Sequence, residues 1–255
     1  MPKFGLSPEE RMLQNILNWL DADDVIYQVV SVERFFEMIE EKRTVLVRPW
    51  KWEDPFEDLL SHTIVTNKAG KRIKFAVTED FFGQCWTLKK ESDGIWRNYA
   101  SLRSGVRIQT TVKKLLEVIY DVNENMSKLS SFIGKVIYKT DSEIKKSIND
   151  IIEQMLIDRS GKGIAKTLLI KREEFNYEEE VRVLFSDKNK RDQNIVSFTI
   201  DPLSLIDSVL FAPKTSEYLF RIFKQRLAKK GFPNDKVTKS KLYEPFSIEV
   251  EHDLL

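Results

Sequence analysis

The ten residues Arg48-Pro49-Trp50-Lys51-Trp52-Glu53-Asp54-Pro55-Phe56-Glu57 constrain this chain more than any other stretch. Prolines at 49 and 55 bias Arg48 and Asp54 away from helix, so the segment begins as irregular backbone. Its three aromatics need burial, yet a core strand or helix rarely carries this density of charge. An ordered loop that mixes both is the usual makeup of a binding or catalytic site. The competing reading is a loop whose aromatics plug one end of a core while its charges pair locally.

Around this loop the pattern alternates strands with capped helices. Ser7-Pro8-Glu9-Glu10 is a capping box with proline at the first helical position. Leu13, Ile16, Leu17 and Leu20 follow at helical spacing and predict a helix to about Asp21. Val25 to Val30 reads as a buried strand, Ser31 caps a helix through Val32, Phe35, Phe36 and Ile39, and Thr44 to Val47 is a strand feeding the aromatic loop. A helix is expected from Pro55 to Ser61. Ile64 to Thr66 and Ile73 to Val77 flank a turn at Asn67-Lys68-Ala69-Gly70. Phe81 to Leu88, Val106 to Thr110 and Ile133 to Lys139 read as strands, and Ile95 to Tyr99 and Val112 to Tyr120 as helices. Residues 141 to 170 are helical with a break at Gly161-Lys162-Gly163. Val181 to Phe185 and Ile195 to Ile200 read as two strands paired with each other. Val209 to Ala212, a helix through Leu227, and Val237 to Leu242 close the chain, with Gly231 and Pro233 stopping that helix. The expectation is α+β (mixed α/β): one domain spanning 1–255, a central twisted sheet surrounded by helices, and a helical insert near 140–172.

Composition removes several functional classes. A net charge of +1 gives no drive toward non-specific nucleic-acid binding. A single cysteine, Cys85, excludes an internal disulfide and fits a reducing compartment. With it, two distant histidines, His62 and His252, write no conventional zinc site. The N-terminus lacks the apolar run of a signal peptide, and no apolar stretch is long enough to span a membrane. A cytoplasmic protein with no membrane partner is expected. Neither the dinucleotide-binding nor the P-loop glycine fingerprint occurs.

Three polar clusters sit at strand ends. The first holds Arg48, Trp52, Asp54 and Glu57. The second holds Trp86, Trp96, Arg97, Tyr99 and Arg107. In the third, Tyr177-Glu178-Glu179-Glu180-Val181-Arg182, the strand period puts Glu178, Glu180 and Arg182 on one face. Two carboxylates held there suit polarising a hydroxyl or holding a metal. The bland alternative is a solvated edge with a Glu–Arg pair. Asp54, Glu57, Glu178 and Glu180 could instead assemble a magnesium site for phosphodiester cleavage, or aromatics and arginines could hold a dinucleotide with Glu180 acting on its ribose.

Taken in order, Ile26-Tyr27, Arg48-Pro49 with Trp52, Asp54-Pro55-Phe56-Glu57, Gln84-Cys85-Trp86-Thr87, Ser92-Asp93, Trp96-Arg97-Asn98-Tyr99, Gly105-Val106-Arg107-Ile108 and Tyr177 to Arg182 resemble the bacterial family of domain of unknown function 2971, over about residues 25 to 212. More distantly, the element order is similar to that of ADP-ribosyltransferases, especially the DNA-modifying toxin type. That resemblance implies NAD as a substrate and no metal. It makes Glu180 the group that polarises the ribose hydroxyl and Glu178 the one that orients the acceptor. Arg48 would clamp a phosphate or ribose, and Trp52, Trp86 and Tyr99 would stack on bases. Asp54, Glu57, Trp96, Arg107, Arg182 and Gln28 complete the expected substrate site. The acceptor, nucleic acid or protein, stays open, and the implied setting is a bacterial toxin or phage defence. One departure is clear. The family pattern puts His or Arg on the first strand, where this chain has Gln28. A metal-dependent nuclease and a non-catalytic binding module of a defence or regulatory system remain the alternatives.

Overall fold

The structure, a computed structural model, describes residues 6–52, 54, 57–66, 70, 72–74, 77–120, 131–157, 161–245 and 248. In chain order the elements begin with α1 (Pro8–Leu13), β1 (Ile16–Leu17), β2 (Val25–Ser31), α2 (Val32–Glu41) and β3 (Arg43–Val47). The central stretch holds α3 (Leu59–His62), β4 (Ile64–Thr66), β5 (Arg72–Lys74), β6 (Phe81–Thr87), α4 (Asp93–Tyr99), β7 (Gly105–Thr111) and α5 (Val112–Ile119). After these come β8 (Ser131–Lys135), β9 (Ile137–Lys139), α6 (Asp141–Ile157), α7 (Lys162–Thr167), β10 (Ile170–Arg172) and β11 (Glu180–Ser186). The chain finishes with β12 (Ile195–Thr199), α8 (Pro202–Leu205), β13 (Ser208–Phe211), α9 (Glu217–Lys229) and β14 (Val237–Lys239). The architecture is α+β. A mixed ten-stranded sheet runs β1-β8-β11-β6-β2-β7-β13-β14, with β3 and β12 branching from β6.

Local chemistry explains most boundaries. The Ser7 side chain accepts from the Glu10 amide and the Glu10 carboxylate accepts from the Ser7 amide, so α1 starts on the expected capping box. Ser31, Ser92, Thr111 and Ser216 cap α2, α4, α5 and α9 by accepting from the amides of Arg34, Ile95, Lys114 and Leu219. The first helix stops at Leu13 rather than near Asp21. Ile16 and Leu17 leave the helix to pair with Ile133 and Gly134, since a buried sheet edge outweighs helical periodicity. Ile133 to Lys139 is not one strand. It divides after Lys135, so that β8 joins the large sheet while β9 pairs with β10.

The largest correction concerns β11 and β12. They do not pair with each other. β11 lies between β6 and β8, and β12 pairs with β3. The hydrophobic alternation that announces each strand carries no information on its partner. The turn residues 67–69 and the expected helix start at 55–56 lie outside the described residues.

The sheet forks at β6. One edge of β6 pairs with β11 over its whole length, from Phe81↔Ser186 to Thr87↔Glu180. The other edge is shared. β2 meets it at Tyr27↔Thr87, and β3 meets it at Val47↔Gly83. Between those two points side chains replace ladder hydrogen bonds. The Gln28 amide donates to the Cys85 carbonyl at 3.1 Å, the Gln84 amide donates to the Val45 carbonyl at 3.1 Å, and Trp86 Nε1 donates to Gln84 Oε1 at 2.8 Å.

The two sheet faces differ in character. One buries Ile26, Phe82, Trp86, Ile108, Val181 and Val183 against Phe35 and Phe36 of α2, Leu115 and Leu116 of α5 and Leu227 of α9, in one continuous apolar core. The other carries two smaller apolar clusters. Leu17, Phe81, Phe132, Leu184 and α7 form the first, and Val29, Ala212 and α4 form the second. Glu180 and Arg182 of β11 and Arg107 of β7 lie on this second face.

Candidate functional site

Alternation along β11 turns Val181 and Val183 into the main core and Glu180, Arg182 and Leu184 to the opposite face. Glu178 is not on the strand. It ends a 3-10 turn (Glu173–Glu178), and Glu179 then takes a left-handed conformation at φ 46°. That kink swings the Glu178 carboxylate back over the strand. β10 passes above and supplies Lys171, and the aromatic loop supplies Glu57.

These side chains form one buried ion cluster. Lys171 Nζ lies 2.6 Å from Glu178 Oε2, 2.8 Å from Glu57 Oε1 and 3.2 Å from Glu180 Oε2. Arg182 grips Glu180 with two parallel bonds, Nε to Oε1 at 2.8 Å and Nη2 to Oε2 at 3.0 Å. It also reaches Glu57 at 3.0 Å and the Leu168 carbonyl at 2.7 Å. The Tyr138 hydroxyl accepts from the Glu180 amide at 2.8 Å. The Arg182 guanidinium sits 4.4 Å above the Trp52 ring. Trp52 in turn lies over Gly83, where an added Cβ would come within 2.5 Å of the ring. All five charged residues are buried, so three carboxylates face two cations in low dielectric.

The electrostatics follow from that count. Burial would raise the Glu180 carboxyl, but Arg182 and Lys171 outweigh it and hold the group down at about 2. Glu57 keeps a raised value because burial and the neighbouring Glu180 charge outweigh its cations. Burial lowers Lys171, while Glu180 and Glu57 more than reverse the effect, and the same balance raises Arg182. The Cys85 thiol is pushed up by burial and by Glu180. At the rim, burial and Glu178 push the Tyr99 hydroxyl well up, while the residue stays 42% exposed. Asn98 donates to the Tyr177 hydroxyl at 3.2 Å, so α4 and the turn before β11 touch above the cluster.

The expected site is only partly assembled. Glu57, Glu178, Glu180, Arg182 and Trp52 converge, with Tyr99 at the rim. Asp54 pairs instead with Arg172 at 3.3 Å. Trp86 lies on the opposite face in the main core, and Trp96 is 1% exposed on the buried side of α4 with its Nε1 donating to Glu91 at 2.9 Å. Gln28 spends its amide on the sheet fork. Arg107 is on the same face as Glu180 but three strands away.

Arg48 is the plainest correction. It is fully buried, stacks 3.8 Å over Phe82, and donates to the carbonyls of Gln193, Glu79, Phe81 and Lys190. It therefore ties two loops together and has no fork left for a phosphate. It also sits at the Phe82 end of β6 while Glu180 sits opposite Thr87, five positions or roughly 17 Å along the strand. Arg48 and Glu180 do not share a pocket. The magnesium arrangement is likewise not formed. Lys171 occupies the point where the carboxylates meet, and among the described residues no group of three His, Cys, Asp or Glu is placed to hold a metal ion.

Sequence reading missed Lys171 and Tyr138. Lys171 had a signal, being the first of two cations, Lys171-Arg172, that follow the apolar run Leu168-Leu169-Ile170. A charge in such a run asks for a buried acid partner. Tyr138 had none.

No curated protein matches the chain in sequence. Among solved structures, Thermus sp. 2.9 DarT in complex with NAD+ is similar at 8% identity and a TM-score of 0.38, over 87% of this chain and 98% of that one. The same protein in complex with ADP-ribosylated ssDNA gives 8% identity and a TM-score of 0.39, over 88% and 97%. Both likenesses are distant. Among the described residues no helix is long and apolar enough to cross a membrane. The model of the family described as "Protein of unknown function (DUF2971)" matches residues 95–183, a narrower span than 25 to 212, and that span holds Tyr99, Arg107, Lys171, Glu178, Glu180 and Arg182.

Proposed function

We propose that the chain is a nucleotide-handling enzyme of the ADP-ribosyltransferase-like type, with the Glu57–Glu178–Glu180 cluster as its acidic centre. The observation that carries the reading is the charge count of that cluster, three buried carboxylates against two cations at the end of a rigid strand. A fixed negative excess in low dielectric favours a cation that develops beside it. Cleavage of an N-glycosidic bond in a nicotinamide nucleotide develops such a cation. The C1′–N bond breaks, nicotinamide leaves with the electron pair, and the sugar becomes an oxocarbenium that an acceptor or water then attacks. The ribose hydroxyl would take the place of Lys171 on Glu180 Oε2, the longest of the three Lys171 contacts. Arg182 would keep the carboxylate ionised and aimed. Tyr99 at the rim offers a face for stacking. A bacterial toxin or phage-defence setting, with a nucleic-acid or protein acceptor, belongs to the same reading.

Nicotinamide release from NAD tests it. Glu180→Gln keeps the shape and removes the charge, and turnover should fall on the order of a hundredfold or more. Circular dichroism and the melting curve should report a folded chain. Equal turnover in wild type and variant would remove Glu180 from the chemistry. A second reading, a non-catalytic module stapled by the same cluster, is favoured by one observation: every cluster carboxylate is already occupied by an internal cation. It requires that the wild type release no nicotinamide at all.

A further inference from the structure

We infer that Arg107 is an anion subsite that takes a phosphate of the nucleotide ligand, on the sheet face that carries Glu180. This rests on the reading under Proposed function and adds the residue that holds a phosphate of that nucleotide.

Among the described residues three arginines are buried, and two are satisfied. Arg48 donates to four backbone carbonyls. Arg182 closes the Nε–Nη2 edge of its guanidinium on the two oxygens of Glu180. Arg107 is 6% exposed and differs from both. Its Nη1 donates to the Lys90 carbonyl and its guanidinium lies 4.7 Å from the Tyr27 ring centre. Its Nε is buried without a partner, and among the described residues it forms no ion pair. The edge that Arg182 fills with a carboxylate is thus unfilled in Arg107. The acid nearest in effect, Glu91, already accepts from Trp96 Nε1 and Ser240 Oγ.

An arginine cannot shed its proton to escape burial, so an uncompensated one calls for an anion from outside. The Nε–Nη2 edge matches two oxygens of a phosphate as it matches a carboxylate. Lys90, which is exposed, stands beside it. Burial pulls the guanidinium down, and the Glu91 charge offsets only part of that pull.

The placement fits one ligand across both sites. Register sets Arg107 opposite Val29, and Tyr27, two positions along, opposite Thr87, which pairs with Glu180. Arg107, Tyr27, Thr87 and Glu180 therefore lie on one face. The span from Arg107 to Glu180 is three strand spacings and two residues, about 16 Å. A nucleoside seated at Glu180 does not reach that far, whereas a dinucleotide does.

The test is binding of inorganic pyrophosphate and of ADP by calorimetry, to wild type and to Arg107→Gln, beside nicotinamide release from NAD and from nicotinamide riboside. Wild type should bind both probes, and Arg107→Gln should bind them at least tenfold more weakly. KM for NAD should rise by a similar factor with kcat kept, and turnover of the riboside should not change. Equal affinity in the two proteins, or no binding of either probe to wild type, overturns the subsite. If the variant does not fold, wild type labelled with ¹⁵N-arginine decides. A buried Nε–H resonance should shift on pyrophosphate addition, and an unmoved arginine spectrum overturns the proposal. Wild type that binds ADP through Arg107 but releases no nicotinamide sinks the enzymatic reading and leaves the subsite standing. Turnover with equal KM in both proteins does the reverse.

Discussion

The two ends of β6 use the same materials for opposite purposes. At the Phe81 end, Arg48 is buried among carbonyl oxygens, which carry only partial charge, and it locks two loops. At the Thr87 end, Lys171 and Arg182 are buried among full carboxylates that outnumber them. At the first end every hydrogen bond to the guanidinium comes from a dipole that cannot change its charge, and the Asp80 and Glu79 carboxylates act on it only from outside that shell. The second holds ionisable groups whose charges depend on one another. A buried arginine is therefore no mark of a site in itself. What distinguishes the ends is whether the surrounding oxygens can titrate and whether their sum exceeds the cations.

That contrast can be broken most forcefully by deleting one cation from each end. Lys171→Met leaves three carboxylates with one partner, and loss of one member of a buried ion pair typically costs about 3–5 kcal/mol. Urea denaturation should show the loss shrinking as pH falls, because Glu57, already raised, takes up a proton. Arg48→Met should also destabilise the chain by several kcal/mol, on the order of 1–3 kcal/mol for each carbonyl left unpaired, but with no pH dependence near neutrality. Equal pH dependence in both variants would erase the distinction.

Acid unfolding sharpens the same comparison. The Glu180 carboxyl is held at about 2 in the fold, against an ordinary 4.5. A depressed carboxyl contributes stability that is present above its unfolded value and lost as pH falls through its folded one. About 3 kcal/mol should therefore disappear between pH 4.5 and 2, at roughly 1.4 kcal/mol for each pH step between the two values. Stability curves for Glu180→Gln should lack this limb.

A smaller effect concerns the surface between the ends. Gly83→Ala pushes a methyl group into Trp52 and Leu184. Overpacking of that kind costs about 1–3 kcal/mol and should tilt Trp52 off Arg182, which tryptophan fluorescence would read. Glu179→Gln should change stability by no more than about 0.5 kcal/mol, since its exposed pair with Lys89 is worth little. A large loss there would show that the kink before β11 depends on charge.

Much of the fold was legible because strands and caps announce themselves locally. Ser7, Ser31 and Ser92 each cap the helix that follows, and β2, β6, β7 and β13 begin within a residue of the positions their apolar patterns indicate. Partner choice was not legible. Ile16 and Leu17 left a helical pattern for a strand, and β12 chose β3 over β11, because both outcomes are settled by distant surfaces. The site divides in the same way. Glu57, Glu178, Glu180 and Arg182 were visible as charge at strand ends. Arg48 carried the same signal and proved to be structural, since sequence cannot tell a carbonyl partner from a phosphate. Lys171 went unseen because its three acids come from two other segments of the chain.

The forked edge of β6 has one further consequence, for cooperativity. The β3–β12 ladder joins five residue pairs, yet it is tied to β6 by the single bridge Val47↔Gly83. β11, by contrast, is bound along its length on both sides. Opening the branch breaks few ladder bonds, so the amides of Arg43–Val47 and Ile195–Thr199 should exchange with deuterium through a local excursion of lower free energy than whole-chain unfolding. The amides of β11 should wait for global unfolding. The acidic cluster thus rides on a strand expected to exchange slowly, while Arg48, at the foot of the branch, acts as the clasp of a part expected to open more easily.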